Sequence, residues 1–428
     1  MKLEKCKKCG NTFDITDEDR ASYKKFDVPD PTHCPQCREQ RRLSWRNESH
    51  LYRNKCAQTG KDIISYISPD KPIKVYDFDL WMDDKWDARD YGMEFDFNRP
   101  FFEQFRELLE KTPHIPLLIG ECENSQFTNY SWCNKNCYMV LAADVNEDCF
   151  YSSHIWNCRD SSDCFFADGC ELCYECVDCE KSYNTNFSKQ CKSCTDCSFC
   201  DDCIGCNDCI GCINLRSQKN CIFNKHLTAE EFKKEKIELL KNPQKITEEF
   251  EKLRLKEPIK GIHMSKCEDS LGNNLNNCKN CYMCFDLIES EDCRYVTYGI
   301  KSKDCMDLNG APSCELLYEC VASPSCYNTR FSSSCWVNSS YLDYCHLCRA
   351  SEHCFGCISL YRAKYCILNK QYTKEEYEKL LPKIIEHMKN PAPLSGGQAS
   401  EWGEFFPSSI SPFNYEETAA MDYYPKKD

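Results

Sequence analysis

Residues 191–212 read CKSCTDCSFCDDCIGCNDCIGC, eight cysteines each three places after the last. A straight strand alternates sides every two residues, so Cys191 and Cys194 share one interior only if a corner lies between them. Such a run can ligate metal, pair as disulfides, or fill a narrow core. Cysteine makes up 39 of 428 residues, a density typical of disulfide scaffolds among short secreted chains. This chain is long, its opening MKLEKCKKCG lacks the apolar stretch of a leader, and an odd number of thiols cannot all pair within one molecule. The reading is therefore of reduced thiols in a cytoplasmic protein, used as small apolar filling. No stretch of about 18 apolar residues predicts a membrane span. An aromatic content of 13% supplies ordinary core material, unlike a metallothionein-like store.

Longer repeats organise the chain. NKNCYMVLAADVNEDC (134–149) answers CKNCYMCFDLIESEDC (278–293), and CIFNKHLTAEEFKKEK (221–236) answers CILNKQYTKEEYEKLL (366–381). The modules Cys122–Lys225 and Cys267–Lys370 thus predict an internal duplication. Within them cysteines recur every 21 residues: Cys137, Cys158, Cys179, Cys200, Cys221, and also Cys149, Cys170, Cys191, Cys212. The second module repeats this with Cys293, Cys314 and Cys335, and one inserted residue stretches the step from Cys326 to Cys348 to 22. That period predicts a β-solenoid of three short strands and three corners per coil, its rungs stacked about 4.8 Å apart. Cys149, Cys170 and Cys191 would then form one column, and Asn136, Asn157, Asp178 and Asn220 would mark a repeated corner. Stacked C-x-x-C pairs, Cys173/Cys176 over Cys194/Cys197, are candidates for a further metal site.

CKKC (6–9) and CPQC (34–37) have the layout of a structural zinc ribbon, with Cys6, Cys9, Cys34 and Cys37 as four thiolate ligands of one Zn2+. About 45 residues bury little core, so metal binding worth about 10–16 kcal/mol would supply the folding energy. His33 beside a complete shell reads as a spectator. Arg38, Arg41, Arg42 and Arg46 follow at spacings that can share a helical face, with Trp45 interleaved, in a stretch (33–55) carrying six basic and two acidic residues against a net charge of −14 for the whole chain. That patch is the candidate nucleic-acid contact; the alternative is a solvated helix whose arginines pair with nearby carboxylates.

Through CKKCG, HCPQCR and the RR that follows, the amino terminus resembles a family of uncharacterised zinc-ribbon domains. Through DFNRPFFEQF, NKNCYM, CELCYEC, FNK and GEFFP, the remainder resembles uncharacterised cysteine-rich repeat proteins of reduced-genome bacteria. The resemblance implies a second finger, in which Cys56 is kept while Thr59, Asp77 and Leu80 stand at the other ligand positions. This is a decayed finger, held by packing of Tyr66, Trp81 and Trp86.

The expected architecture is mainly β. A zinc ribbon with a basic helix (1–50) and a degenerate finger (51–97) precede a capping helix and linker (98–121). The first solenoid (122–226) then leads through a helical linker (227–261) to the second (262–371), its closing helix (372–390) and an aromatic tail (391–428). Capping boxes at Thr228/Glu231 and Thr373/Glu376 open the closing helices. The helix in 98–113, begun by Asn98, is expected to plug the first solenoid. No phosphate loop, dinucleotide fingerprint, nucleophile elbow or H-E-x-x-H motif occurs. The function expected is a non-enzymatic, zinc-bearing interaction scaffold with a protein partner. Alternatives are a nucleic-acid-associated factor using Arg38–Arg46, a carbohydrate-active β-helix, and a solenoid loaded with several metal ions.

Overall fold

In the computed structural model, which describes residues 2–300, 302, 306–307, 309, 318–321, 327–336, 338–390 and 400–426, a corner does separate successive interior cysteines. One rung, residues 147–158, shows how. Glu147, Phe150, Ser153 and Trp156 pair in parallel with Arg159, Ser162, Phe165 and Asp168. Asp148, Tyr151, His154 and Asn157 each turn the chain with a positive φ of 50–55°. Cys149, Ser152, Ile155 and Cys158 point inward and are at most 2% exposed. Each side of the coil is therefore a triplet of corner, interior and ladder residue, and four triplets close a twelve-residue rung.

The twenty-one-residue coil is overturned by this register. Twenty-one is seven triplets, so it returns to the same triplet position but three sides away. Cys149, Cys170 and Cys191 consequently lie in three different columns. The columns run at intervals of twelve, as in Cys158, Cys170, Ser182, Cys194 and Cys206, each directly before one of the paired ladder residues Arg159, Glu171, Tyr183, Thr195 and Asn207. The corner ladder likewise joins Asn124 to Asn136 (2.9 Å) and Asn136 to Asp148 (3.1 Å), whereas Asn157 and Asp178 occupy other corners. Cys305, Cys314 and Cys326 lie outside the described residues. The inserted residue expected in the second solenoid is present: Ser333 pairs with His346 and Trp336 with Arg349, thirteen apart, before the twelve-residue step from Ser340 to Glu352 resumes.

Hydrogen bonding explains why these interiors select cysteine. Ladder and corner N–H groups bond to carbonyls of adjacent rungs, as in Phe150 N to Ser161 O and Asp163 N to Phe150 O (3.0 and 3.1 Å). The third N–H of each triplet, on the interior residue, needs an acceptor from the rung before it. Ser152 Oγ accepts from Cys164 N (3.1 Å), Ser188 Oγ from Cys200 N (3.1 Å) and Cys357 Sγ from Asn369 N (3.4 Å). The thiols in turn donate to backbone carbonyls, as Cys194 Sγ does to the ladder residue Lys192 O (3.5 Å) and to Cys203 O (3.3 Å). A small side chain that is apolar yet can accept one weak bond and donate another suits every such position. Cysteines 137–221 are all buried thiols.

The chain divides into two compact units, Leu117–Gly261 and Met1–Pro116 with Ile262–Asp428. At the amino terminus, β1 (Lys2–Lys5) and β2 (Thr12–Ile15) form a hairpin. It is followed by α1 (Asp17–Lys25) and α2 (Pro35–Leu43). A second hairpin, β3 (Tyr52–Lys55) with β4 (Asp62–Ser65), leads to α3 (Phe78–Met82). α4 (Phe101–Lys111) begins after Pro100, not at Asn98. The cap is remote: the Glu401 carboxylate accepts from Phe101 N (2.8 Å) and Phe102 N (2.9 Å). α4, expected to plug the first solenoid, is seated on the second. Phe101 packs on Tyr344 and Phe355 of the second (5.1 and 5.3 Å between ring centroids), at a corner where Gly356 has φ +62° and an added Cβ would meet the Phe101 ring at 2.8 Å. Phe105 stacks on Phe406 of the carboxy-terminal segment, which is fully buried.

Each solenoid ends where its last parallel strand turns back on itself, Cys221 pairing antiparallel with His226 and Cys366 with Gln371. α5 (Ala229–Leu240), opened by the Thr228/Glu231 capping box, rests Phe232 and Leu239 on Ile210 and Ile222, and α6 (Pro243–Arg254) adds Ile246. In the other unit, α7 (Lys374–Lys389), with the Thr373/Glu376 box, sets Tyr377, Ile384 and Met388 against the core containing Phe355 and Ile367. α8 (Ala419–Tyr423) is fastened by Ala419 N to Arg46 O (2.9 Å). Among the described residues, no helix is long and apolar enough to cross a membrane.

Candidate metal centre

Two tight turns bring four sulfurs together. Gly10, with φ +75°, lets its N–H return to Cys6 O (2.9 Å) after the first pair of cysteines. Pro35 opens α2, placing Cys34 at the helix cap and Cys37 in its first turn, and Lys7 N to Thr32 O (3.0 Å) clamps one turn to the other. The ligand atoms of Cys6, Cys9, Cys34 and Cys37 all lie within 4.8 Å of one another, with Cys9 Sγ 3.8 Å from Cys34 Sγ. A tetrahedral shell with metal–sulfur bonds of about 2.3 Å sets sulfurs about 3.8 Å apart. The quartet fits such a shell.

Its electrostatics are uneven. Burial pushes the Cys6 thiol up, but the backbone N–H groups of Cys9, Cys34 and Lys8 outweigh it and leave the group at about 6. Burial and the neighbouring sulfurs push Cys37 well above its ordinary value, and burial raises Cys34. The Cys6 thiolate is thus stabilised by the fold alone; Cys34 and Cys37 need a cation beside them.

The second hairpin repeats this geometry without its sulfurs. Gly60 N bonds Cys56 O (2.9 Å), Ala57 N bonds Val75 O (2.7 Å), and Asp77 caps α3 by accepting from Leu80 N (3.2 Å). Thr59, Asp77 and Leu80 therefore sit where Cys9, Cys34 and Cys37 sit in the first. Buried Tyr66 and Trp81 hold the shape, with Trp81 6.2 Å from Trp86 and 6.0 Å from Trp336.

Cys173, Cys176, Cys194 and Cys197 are not brought together. All four face inward, but Cys173 and Cys197 are two rungs apart in one column with Thr185 between them, and Cys176 and Cys194 belong to other columns. Among the described residues, the amino-terminal quartet is the only group of three or more His, Cys, Asp or Glu found close enough to share an ion.

Arg38, Arg41, Arg42 and Arg46 are buried, at most 7% exposed. Arg38 Nε meets Asp307 Oδ2 at 2.8 Å, and Arg42 lies 3.3 Å from the other Asp307 oxygen. Arg41 bridges Glu319 (2.7 Å) and Glu404 (2.6 Å), while Arg46 pairs with Glu48 and donates to Asn309 O (2.7 Å). The interleaved Trp45 is fully buried against Phe406, 4.7 Å away. The face suggested by the spacing exists, but it is turned into the protein. Burial raises Glu404, and His33, Arg41 and Thr32 more than reverse this, holding it well below the usual carboxylate range. For Glu319 burial prevails over Arg41 and Arg42, and its carboxyl is raised.

His114 and His346 face each other in the same core, 5.5 Å between ring centroids and both fully buried. Burial lowers His114 to about 4, and burial with its neighbour lowers His346 well below the ordinary range. A depressed imidazole contributes stability above its unfolded value near 6.5 and loses it as pH falls toward the folded one. Acidification from pH 7 to 4 should therefore cost about 3 kcal/mol through His114 alone. Urea unfolding across that range measures it, and His114→Gln should flatten the decline. No protein-family model and no curated protein matches this sequence.

Proposed function

We propose that the protein is a non-enzymatic interaction scaffold, built on two cysteine-filled solenoids derived from one by duplication and carrying one structural zinc ion. The convergence of Cys6, Cys9, Cys34 and Cys37 within 4.8 Å carries the reading. Four sulfurs without oxygen or nitrogen ligands suit zinc, and a complete shell leaves no open position for water or substrate. The ion's part is to hold the two turns; the chain's own work is to present rigid outer faces to a protein partner. The helices beside each solenoid terminus act as caps against edge-to-edge association. Interior thiols that serve as hydrogen-bonding filling require a reducing compartment such as the cytoplasm.

The test is metal analysis by native mass spectrometry with thiol counting on the full chain, purified without added metal. One zinc with about 35 titratable thiols after unfolding in chelator-free denaturant is expected. Several zinc ions per chain would instead favour metal inside the solenoids, and none would remove the structural site.

A further inference from the structure

A cleft of about 900 Å³ opens beside the metal centre, walled by its two turns, by the first turns of α4 and by the carboxy-terminal segment. Its volume is that of a small-molecule site. The carboxylates deepest in it are already engaged: Glu401 caps α4, and Glu404 is held by Arg41 and Thr32. The cations differ. Lys8 is bonded to the neutral Gln40 amide (2.7 Å), and Arg106 lies 3.9 Å from Glu110, on an exposed pair. Lys7, exposed at the mouth, has no ion pair among the described residues. Exposed Glu103 and, beside Arg106, Glu110 oppose them. Buried Arg41 also reaches this wall, and its Nε has no hydrogen-bond partner. Phe102, Pro407 and Ile410 also line the cleft, together with Ser400, Ser408 and Ser409.

In a chain of net charge −14, a cleft lined by Lys7, Lys8, Arg41 and Arg106 against Glu103, Glu401 and Glu404 is set apart from the acidic surface as a whole. Ammonium and guanidinium groups around a partly enclosed space recognise phosphate. An aromatic ring with an apolar wall takes a planar base, and hydroxyls take a sugar. We propose that this cleft binds a phosphorylated ligand bearing an aromatic body, of the mononucleotide class. The phosphates sit among Lys7, Lys8 and Arg106, and the base lies against Phe102.

Isothermal titration calorimetry of the metal-loaded full chain with ADP tests this. Saturable one-site binding is expected, weakening as salt is raised. Affinity should fall tenfold or more in Arg106→Gln and in the Lys7→Gln/Lys8→Gln double variant, with melting temperature and metal content unchanged. Phe102→Leu should weaken ADP while leaving pyrophosphate, the weaker ligand, unaltered. No binding of ADP, or binding indifferent to the Arg106 and lysine changes, would overturn the site. Equal affinity for ADP and pyrophosphate would overturn its assignment to nucleotides.

Discussion

Cys37→Ala should release the metal and unfold the first finger, with loss of protease resistance across residues 1–50. Metal binding to four thiolates is worth about 10–16 kcal/mol in small domains, more than so short a segment gains from burial. The damage should also spread. Cys37 lies in the first turn of α2, and that helix carries Arg38, Arg41 and Arg42 into the second solenoid. Losing the turn withdraws the counter-charges of Asp307 and Glu319, both fully buried. Cys56→Ala provides the contrast. Cys56 is buried too, but Thr59 and Leu80 supply no ligand and the Asp77 carboxylate caps α3, so metal content should not change. Metal analysis and limited proteolysis of the two variants distinguish a ligand from a buried thiol.

Arg41→Ala should destabilise the protein by about 3–5 kcal/mol, because truncation leaves the Glu319 carboxylate buried without its cation. Glu319 is already raised by burial despite Arg41 and Arg42; without Arg41 it should be raised further. Adding Glu319→Gln to Arg41→Ala should return part of the lost stability, since a neutral amide costs less to bury than an unpaired charge. Denaturant unfolding of the two single variants and the double measures both effects. A solvated helix of arginines would show neither, as exposed ion pairs contribute about 0–1 kcal/mol.

What could be read from the sequence follows from which constraints are local. The four-thiolate site was legible because two tight turns and a capped helix are encoded within a few residues of each ligand. The decayed finger was reached through the resemblance, since of its four ligand positions only Cys56 keeps a thiol. The triplet period was visible too, along with the corner it demands between Cys191 and Cys194. The coil length was not. Every interior position makes the same request, a small side chain that accepts one N–H and donates to a carbonyl, so Cys, Ser, Thr and Asn interchange around the coil. Nothing in the interior residues tells one side from the next. A 21-residue period therefore looked as regular as the true one. The arginine cluster was hidden differently: Asp307, Glu319 and Glu404 lie hundreds of residues away from α2, and a charge's partner leaves no trace in spacing. The same distance separates Phe101 from its seat at Gly356, and the cap of α4 from Glu401.

Anomalous scattering from crystals of the native protein tests the twelve-residue rung most directly, since it locates sulfur and metal without reference to a chain trace. The expected map has Cys158 and Cys170 one rung apart, about 4.8 Å along the axis. A gap follows at Ser182, then Cys194 and Cys206 in the same column, with a single zinc-edge peak among Cys6, Cys9, Cys34 and Cys37. A column formed instead by Cys149, Cys170 and Cys191 would contradict the account and restore a coil of twenty-one.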